Sequence, residues 1–221
     1  MSAKQNKEKK VQLIVQTLEV DIVLGRLYPR ERLVEETLAR RFETKRHVIR
    51  QALNELESAG LLVREANKGT TVCEYSAEEV RQLYQMRVFL ERQAALLTPL
   101  PVNDEDYSKL KSICDEHSTA IDQGDMPRVI AANKEFHQAL FRLCGNIFLS
   151  NVIDEMAKKA NLIRFASSID LNLLKQARDE HFQILEAIRV NDNITLSEIC
   201  VSHLQPSCQK YLENREHFFS S

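Results

Sequence analysis

Lys45-Arg46-His47-Val48-Ile49-Arg50-Gln51-Ala52-Leu53-Asn54-Glu55-Leu56-Glu57-Ser58-Ala59-Gly60 reads as one helix with two unlike sides. Val48, Ile49, Ala52, Leu53 and Leu56 recur at helical spacing and form an inward stripe, and Gly60 supplies the stop. Lys45, Arg46, His47 and Arg50 fall on the first turn and a half, opposite that stripe. The helix dipole favours acids at a helix start, so stability does not explain a basic cluster there.

Working outward, Lys9 to Val23 carries apolar residues at 11, 14, 15, 18, 22 and 23, the stripe of a first helix stopped by Gly25 and the turn at Pro29. Leu33 to Phe42 gives a short second helix with Leu33, Leu38, Ala39 and Phe42 inward. Beyond Gly60, Leu61-Leu62-Val63 and Thr70-Thr71-Val72-Cys73 read as two short strands around the polar turn Glu65-Ala66-Asn67-Lys68-Gly69. Three helices and a two-stranded hairpin make a winged helix-turn-helix over residues 1–75. In that fold the start of the third helix enters the major groove, where long cationic donors reach guanine edges and phosphates. Arg40 and Arg41, ending the second helix, would add phosphate contacts, and Lys68 with Gly69 would lie at the wing tip. The plainer alternative is a solvated basic face on a small bundle.

Glu74 to Ser76 is a short linker, and Ser76 with Glu79 makes a capping box for the next helix. Helices follow at about 77–97, 103–122, 126–144, 147–167, 171–190 and 193–213, punctuated by Pro99, Pro101, Gly124, Gly145, Ser167-Ser168 and Asn191-Asp192-Asn193. Residues 76–221 therefore read as an all-α six-helix bundle, and the chain as mainly α. The composition agrees: among 221 residues there are only 5 Gly and 5 Pro, with 43% hydrophobic and 28% charged. No apolar run reaches the ~18–20 residues that spanning a bilayer needs. The polar start, Met1-Ser2-Ala3-Lys4, has no signal-peptide core, which places the chain in the cytoplasm with no membrane partner. Five cysteines, odd in number and with no CxxC pair, read as free thiols in a reducing compartment.

The net charge of −2 hides a split: residues 1–75 hold 14 Lys+Arg against 11 Asp+Glu, and residues 76–221 hold 16 against 21. A basic front and an acidic back point to different partners. In the acidic part, Asn133 and His137 are four apart on one helix, so both project from the same face. His181 and His203 lie mid-helix among apolar neighbours. A lone helical histidine is more often a packing residue, but imidazoles from facing helices are also a common way to hold zinc, nickel or a similar divalent ion. His47, His117 and His217 lie in polar surroundings and read as solvent-facing. Catalytic signatures are missing: there is no Glu-x-x-His, His-Glu-x-x-His, Gly-x-Ser-x-Gly or Gly-rich phosphate loop, so an enzyme is not expected.

Several stretches resemble the GntR family of regulators. Gly25-Arg26-Leu27-Tyr28-Pro29, Leu33-Val34-Glu35-Glu36-Thr37-Leu38-Ala39-Arg40-Arg41-Phe42, Ile49 to Leu62 and Lys68-Gly69-Thr70-Thr71-Val72 carry the likeness. The family usually reads Ser-Arg-Thr-Pro-Val-Arg-Glu-Ala-Leu where this chain has Lys45-Arg46-His47-Val48-Ile49-Arg50-Gln51-Ala52-Leu53. The resemblance implies base and phosphate contacts for Arg46 and Arg50. Lys45 and His47 depart from the usual Ser and Thr, which implies a different operator sequence. An Arg that some members carry early in the second helix is Glu36 here, and that contact is not carried over.

Asn133 to Leu140, Gly145-Asn146, Glu180 to Ile188 and Val201-Ser202-His203-Leu204 look like the effector domain of the FadR-type (FCD) subfamily. In its metal-binding members an Asp or Asn and three His hold a divalent cation, which implies Asn133, His137, His181 and His203 here. The resemblance also implies a homodimer on palindromic double-stranded DNA, most often a repressor, responding to a small carboxylate effector. Arg87 stands where the subfamily often has an Arg beside that effector; a salt bridge to Glu91 one turn on is the competing reading. Asn161 and Arg164 are further candidates for the effector cavity. A metal-free helical domain acting in dimerisation is the alternative.

Overall fold

The computed structural model describes residues 3–23, 25–65, 69–168 and 170–219. Helix α1 (Ala3–Val23) packs on α3 (Arg46–Ser58), and the short α2 (Glu35–Arg41) crosses α3 on another side. Ile14, Leu18, Ile49, Leu53, Leu56 and Leu61 are fully buried where these helices meet. Each such side chain contributes about 1.5–3 kcal/mol by leaving water, so the stripe read from the sequence is the core of this part.

The wing differs from the expected hairpin. Strand β2 (Leu62–Glu65) pairs antiparallel with β3 (Gly69–Val72), and β3 also pairs with β1 (Arg32–Leu33), giving the order β1-β3-β2. Leu33 is therefore strand and not helix. The chain leaving the Pro29 turn zips onto the open edge of β3, with Arg30 N–H donating to Val72 O and Val72 N–H to Glu31 O, both at 3.0 Å. A two-residue strand is too short to leave an alternation in the sequence.

The capping box forms as expected. Glu79 N–H donates to Ser76 Oγ, Ser76 N–H donates to Glu79 Oε2, and α4 (Ala77–Leu97) begins there. Then come α5 (Asp104–Gln123), α6 (Met126–Arg142), α7 (Ile147–Lys159), α8 (Asn161–Ser168), α9 (Leu171–Arg189), α10 (Asn193–Ser202) and α11 (Gln205–Phe219). Two of the six expected helices are thus each broken once. The break before α11 has a cause in Pro206, which has no N–H to continue the ladder and is tolerated only in a first turn. The break at Ala160 has no such residue. Phe136, Leu140, Ile184, Ile188 and Leu196 centre the bundle's core.

Helix α8 joins the two parts. Leu162 is buried in the core built by α1 and α3, and Asn161 Nδ2 donates to Ala59 O at 3.3 Å, at the end of α3. Gly60, with φ +76°, sits so close that a Cβ would lie 2.8 Å from the Lys158 carbonyl oxygen. None of the described helices is long and apolar enough to cross a membrane.

Candidate DNA-reading face and buried histidine cluster

The start of α3 stands out from the body. Lys45 is its N-cap, and Lys45, Arg46, His47 and Arg50 are all exposed, as is Arg40 at the end of α2. Two of these cations are already held by acids on α2. Arg46 Nη2 donates to Glu36 Oε2 at 2.8 Å, and Arg50 donates through Nε and Nη2 to both oxygens of Glu35, each at 2.9 Å. The Arg50 bonds hold the Glu35 carboxyl below its ordinary pKa and raise that of the guanidinium in return. Arg41 is tied inward instead. Its Nη2 donates at 2.5 Å to Asp21, which is buried, and its guanidinium lies 5.0 Å over the Phe42 ring. Asp21 also accepts from Arg26, so this pair anchors α2 to α1. Lys68 lies outside the described residues. Gly69 opens β3 with φ +84°, and a Cβ there would meet Arg32 Nε at 3.3 Å.

Three helices converge in the second part. His137 on α6, His181 on α9 and His203 capping α10 bring one ligand nitrogen each to within 4.8 Å of the others. His137 Nε2 and His203 Nε2 are 3.2 Å apart. Glu180 lies 2.5 Å from His203 Nδ1. That contact fixes the ring and leaves Nε2 pointing into the cluster. Burial opposes charge on Glu180, yet the His203 hydrogen bond and charge outweigh it and keep the carboxyl below its usual range. Burial, with His203 nearby, holds His137 and His181 well below 6.5. Both are therefore neutral imidazoles, the form that ligates a metal.

His117 corrects the sequence reading. It is 1% exposed on α5, its ring centroid 4.9 Å from that of His181, and burial lowers its pKa to about 4. A signal was present: Ile113, Cys114, His117, Ala120 and Ile121 form one inward stripe at helical spacing. His47 is exposed as expected, and the His217 side chain lies outside the described residues.

A cavity of about 830 Å³ opens beside the cluster, lined by His117, Asn133, His137, His203, Arg87 and Arg164 among others. Asn133 is half-buried one turn before His137 and faces the same space. Gln16 of α1 and Ser58 and Ala59 at the end of α3 also line it, so the cavity touches both parts of the chain. Arg87 is fully buried, and its Nε donates to Glu91 Oε1 at 2.9 Å, the pairing the sequence allowed. Burial disfavours its charge, but Glu91 and Tyr84 outweigh this and raise its pKa. Its Nη1 has no hydrogen-bond partner. Burial and then Arg87 bring Arg164 down to about 10. Asn161 lines the cavity as well as bonding Ala59.

The donor set fits a divalent ion. Both ring nitrogens of His181 and Nδ1 of His137 are buried without a hydrogen-bond partner. Such an unsatisfied group costs about 1–3 kcal/mol. Neutral imidazole nitrogens suit zinc, nickel and their neighbours.

A winged helix-turn-helix with an exposed basic helix start, packed on a helical domain with a cavity at their seam, defines a class: regulators that bind DNA. Known proteins agree. The gntR family of bacterial regulatory proteins matches residues 10–72, and the FCD domain matches residues 82–206. The Nta operon transcriptional regulator of Aminobacter aminovorans is 28% identical over 187 residues, covering 84% of this chain and 86% of that protein. The HTH-type transcriptional regulator YdhC of Bacillus subtilis (strain 168) is 25% identical over 186 residues, covering 84% of this chain and 83% of that one. Among solved structures, E. coli McbR/YncC superposes with a TM-score of 0.72 over 93% of this chain and 98% of that chain, at 19% identity, a likeness of fold. The chain belongs to the gntR family, in its FCD-domain branch, and is a DNA-binding transcriptional regulator.

Proposed function

We propose that residues 1–75 bind an operator and residues 76–221 sense a small organic acid through a divalent ion held by Asn133, His137, His181 and His203. The observation that carries this reading is the convergence of three imidazoles beside one cavity, with ring nitrogens of His137 and His181 buried and without a hydrogen-bond partner. A bound ion would supply an open position for an oxygen ligand, because three imidazoles and an amide leave its charge uncompensated. Arg87 Nη1, buried without a hydrogen-bond partner, supports an anion at the same place, and Arg164 adds a second cation. Asn133, where a carboxylate could have neutralised part of the ion's charge, leaves that task to the ligand. The contacts of α8 with the end of α3 support a route by which filling the cavity changes how the DNA-reading helix is held.

The operator would be a palindrome read by a homodimer, with Arg46 and Arg50 on base edges and phosphates and Arg40 and Lys45 on phosphates. Support for a dimer comes from apolar side chains left in water on two helices that pack together. They are Met86 and Phe89 on α4, and Ile147, Phe148 and Val152 on α7, with Phe148 80% exposed. Metal content of protein purified without chelators, followed by operator binding with a panel of small acids, tests this reading. About one divalent ion per chain and an acid-dependent change in affinity are expected.

A second reading rests on the 3.2 Å contact between His137 and His203. These two rings, with Glu180, make a hydrogen-bonded chain without any ion. In that case the helical domain is metal-free and acts in dimerisation or direct effector binding. Purified protein with no bound divalent ion favours it.

A further inference from the structure

We propose that Glu36 and Arg46 read DNA together, as an acceptor–donor pair that selects a cytosine beside a guanine in the major groove. The inference rests on α3 being the DNA-reading helix. The 2.8 Å contact from Arg46 Nη2 to Glu36 Oε2 sets the Glu36 carboxylate level with the first turn of α3, although it belongs to α2. Where the Arg46 guanidinium meets one base edge, the Glu36 carboxylate is within reach of the next.

The two acids on α2 are not equivalent. Glu35 accepts through both oxygens from Arg50 and its side chain is 31% exposed, so its acceptor capacity is largely used in holding that arginine. Glu36 accepts through one oxygen only, its side chain is 63% exposed, and among the described residues its Oε1 has no partner. Arg46 likewise keeps donors beyond the one it gives to Glu36. The pair therefore presents a row of donors next to an acceptor, with no net charge.

Groove chemistry decides what such a row can meet. Phosphates offer only acceptors and negative charge, so a carboxylate turned toward the backbone is repelled. In the major groove the donors are the cytosine N4 and adenine N6 amino groups. Adenine places its N7 acceptor beside the amino group, facing the second carboxylate oxygen, whereas cytosine has only a C–H there. The guanidinium takes O6 and N7 of a neighbouring guanine, the common partner of arginine. An internally neutral pair adds discrimination without adding to the phosphate attraction that dominates affinity.

Selection of bound duplexes from a randomised pool by the full-length protein, then fluorescence anisotropy at several salt concentrations, tests the proposal. The wild type should recover one cytosine next to a guanine in each half-site, and replacing that cytosine should weaken binding about tenfold. Glu36→Ala should level that position to within about twofold while leaving the base preferences at the other positions unchanged. Glu36→Gln should move the preference to adenine, which an amide reads through N6 and N7. If Glu36→Ala binds every sequence more tightly by one factor, with a steeper salt slope, Glu36 only repels phosphate and the proposal is overturned. Unchanged base preferences in both variants overturn it as well. Failure of the wild type to bind any duplex at roughly 50 mM salt would remove the DNA reading of α3 itself.

Discussion

Gly60→Ala tests the seam between the DNA-reading helix and the helical domain. Gly60 has φ +76°, a region in which an added Cβ costs about 1–2 kcal/mol. A Cβ there would also lie 2.8 Å from the Lys158 carbonyl oxygen and 3.3 Å from the Lys158 carbonyl carbon and Lys159 Cα. All three are backbone atoms at the end of α7, and none can rotate away. Ordinary contact begins near 3.4 Å, so the end of α3 must move off α7 by about 0.6 Å in a packed seam, an overpacking that costs about 1–3 kcal/mol. That shift loosens Leu162 and lengthens the Asn161–Ala59 hydrogen bond. The sum is about 2–5 kcal/mol. Gly124→Ala is the control: its φ is +67°, but no neighbouring atom lies within 4 Å of the added Cβ, so only the backbone cost of about 1–2 kcal/mol applies. Urea unfolding of both full-length variants should separate them by at least about 1 kcal/mol. Equal losses would refute the close approach between α3 and α7.

Zinc in hundredfold excess over its Kd should stabilise the wild type by about 2.7 kcal/mol in thermal melts. His181→Ala should remove the shift, and an equal shift in both proteins would contradict the ligand assignment. In metal-free protein, stability should fall on acidification. His117 stays neutral in the fold down to about pH 4 but protonates near 6.5 when unfolded, so the unfolded chain binds the extra proton. Its contribution is fully present above about pH 6.5 and is lost toward pH 4, a change of about 3 kcal/mol. A His117→Phe variant should flatten that slope in acid titrations followed by circular dichroism, and an unaltered slope would refute it. Glu91→Ala leaves the Arg87 guanidinium buried without its partner and should cost about 3–5 kcal/mol in urea unfolding. The double change Arg87→Met with Glu91→Leu should recover most of that loss. No recovery would mean that packing around α4, and not charge, sets the cost.

The sequence made α3 legible because its two faces obey one period: Val48, Ile49, Ala52, Leu53 and Leu56 are all buried, and the basic residues opposite are all exposed. The Ser76–Glu79 box was legible for a similar reason, since both partners sit within one turn. The histidine convergence was only suggested by inward helical positions and sharpened by resemblance, because His137, His181 and His203 are far apart in the chain and their meeting depends on how α6, α9 and α10 pack. His117 was missed because its polar sequence neighbours Asp115, Glu116 and Ser118 hid a stripe that runs every third or fourth residue. The pairings of Arg41 with Asp21 and of Arg46 with Glu36 were invisible for a different reason. Many acids lie within reach of an arginine along the chain, and tertiary geometry chooses among them. The three-stranded wing escaped because β1 is made by pairing to β3 and carries no pattern of its own.

The central claim is that one chain reads DNA at α3 and is controlled from the cavity at its histidine cluster. Its most direct test is anisotropy titration of a selected operator with zinc-loaded protein, with and without each acid of a small panel. At least one acid should change operator affinity by about tenfold, a coupling of about 1.4 kcal/mol, and His137→Ala should bind the operator but ignore that acid. Operator affinity that is the same with every acid, in wild type and variant alike, would contradict the account.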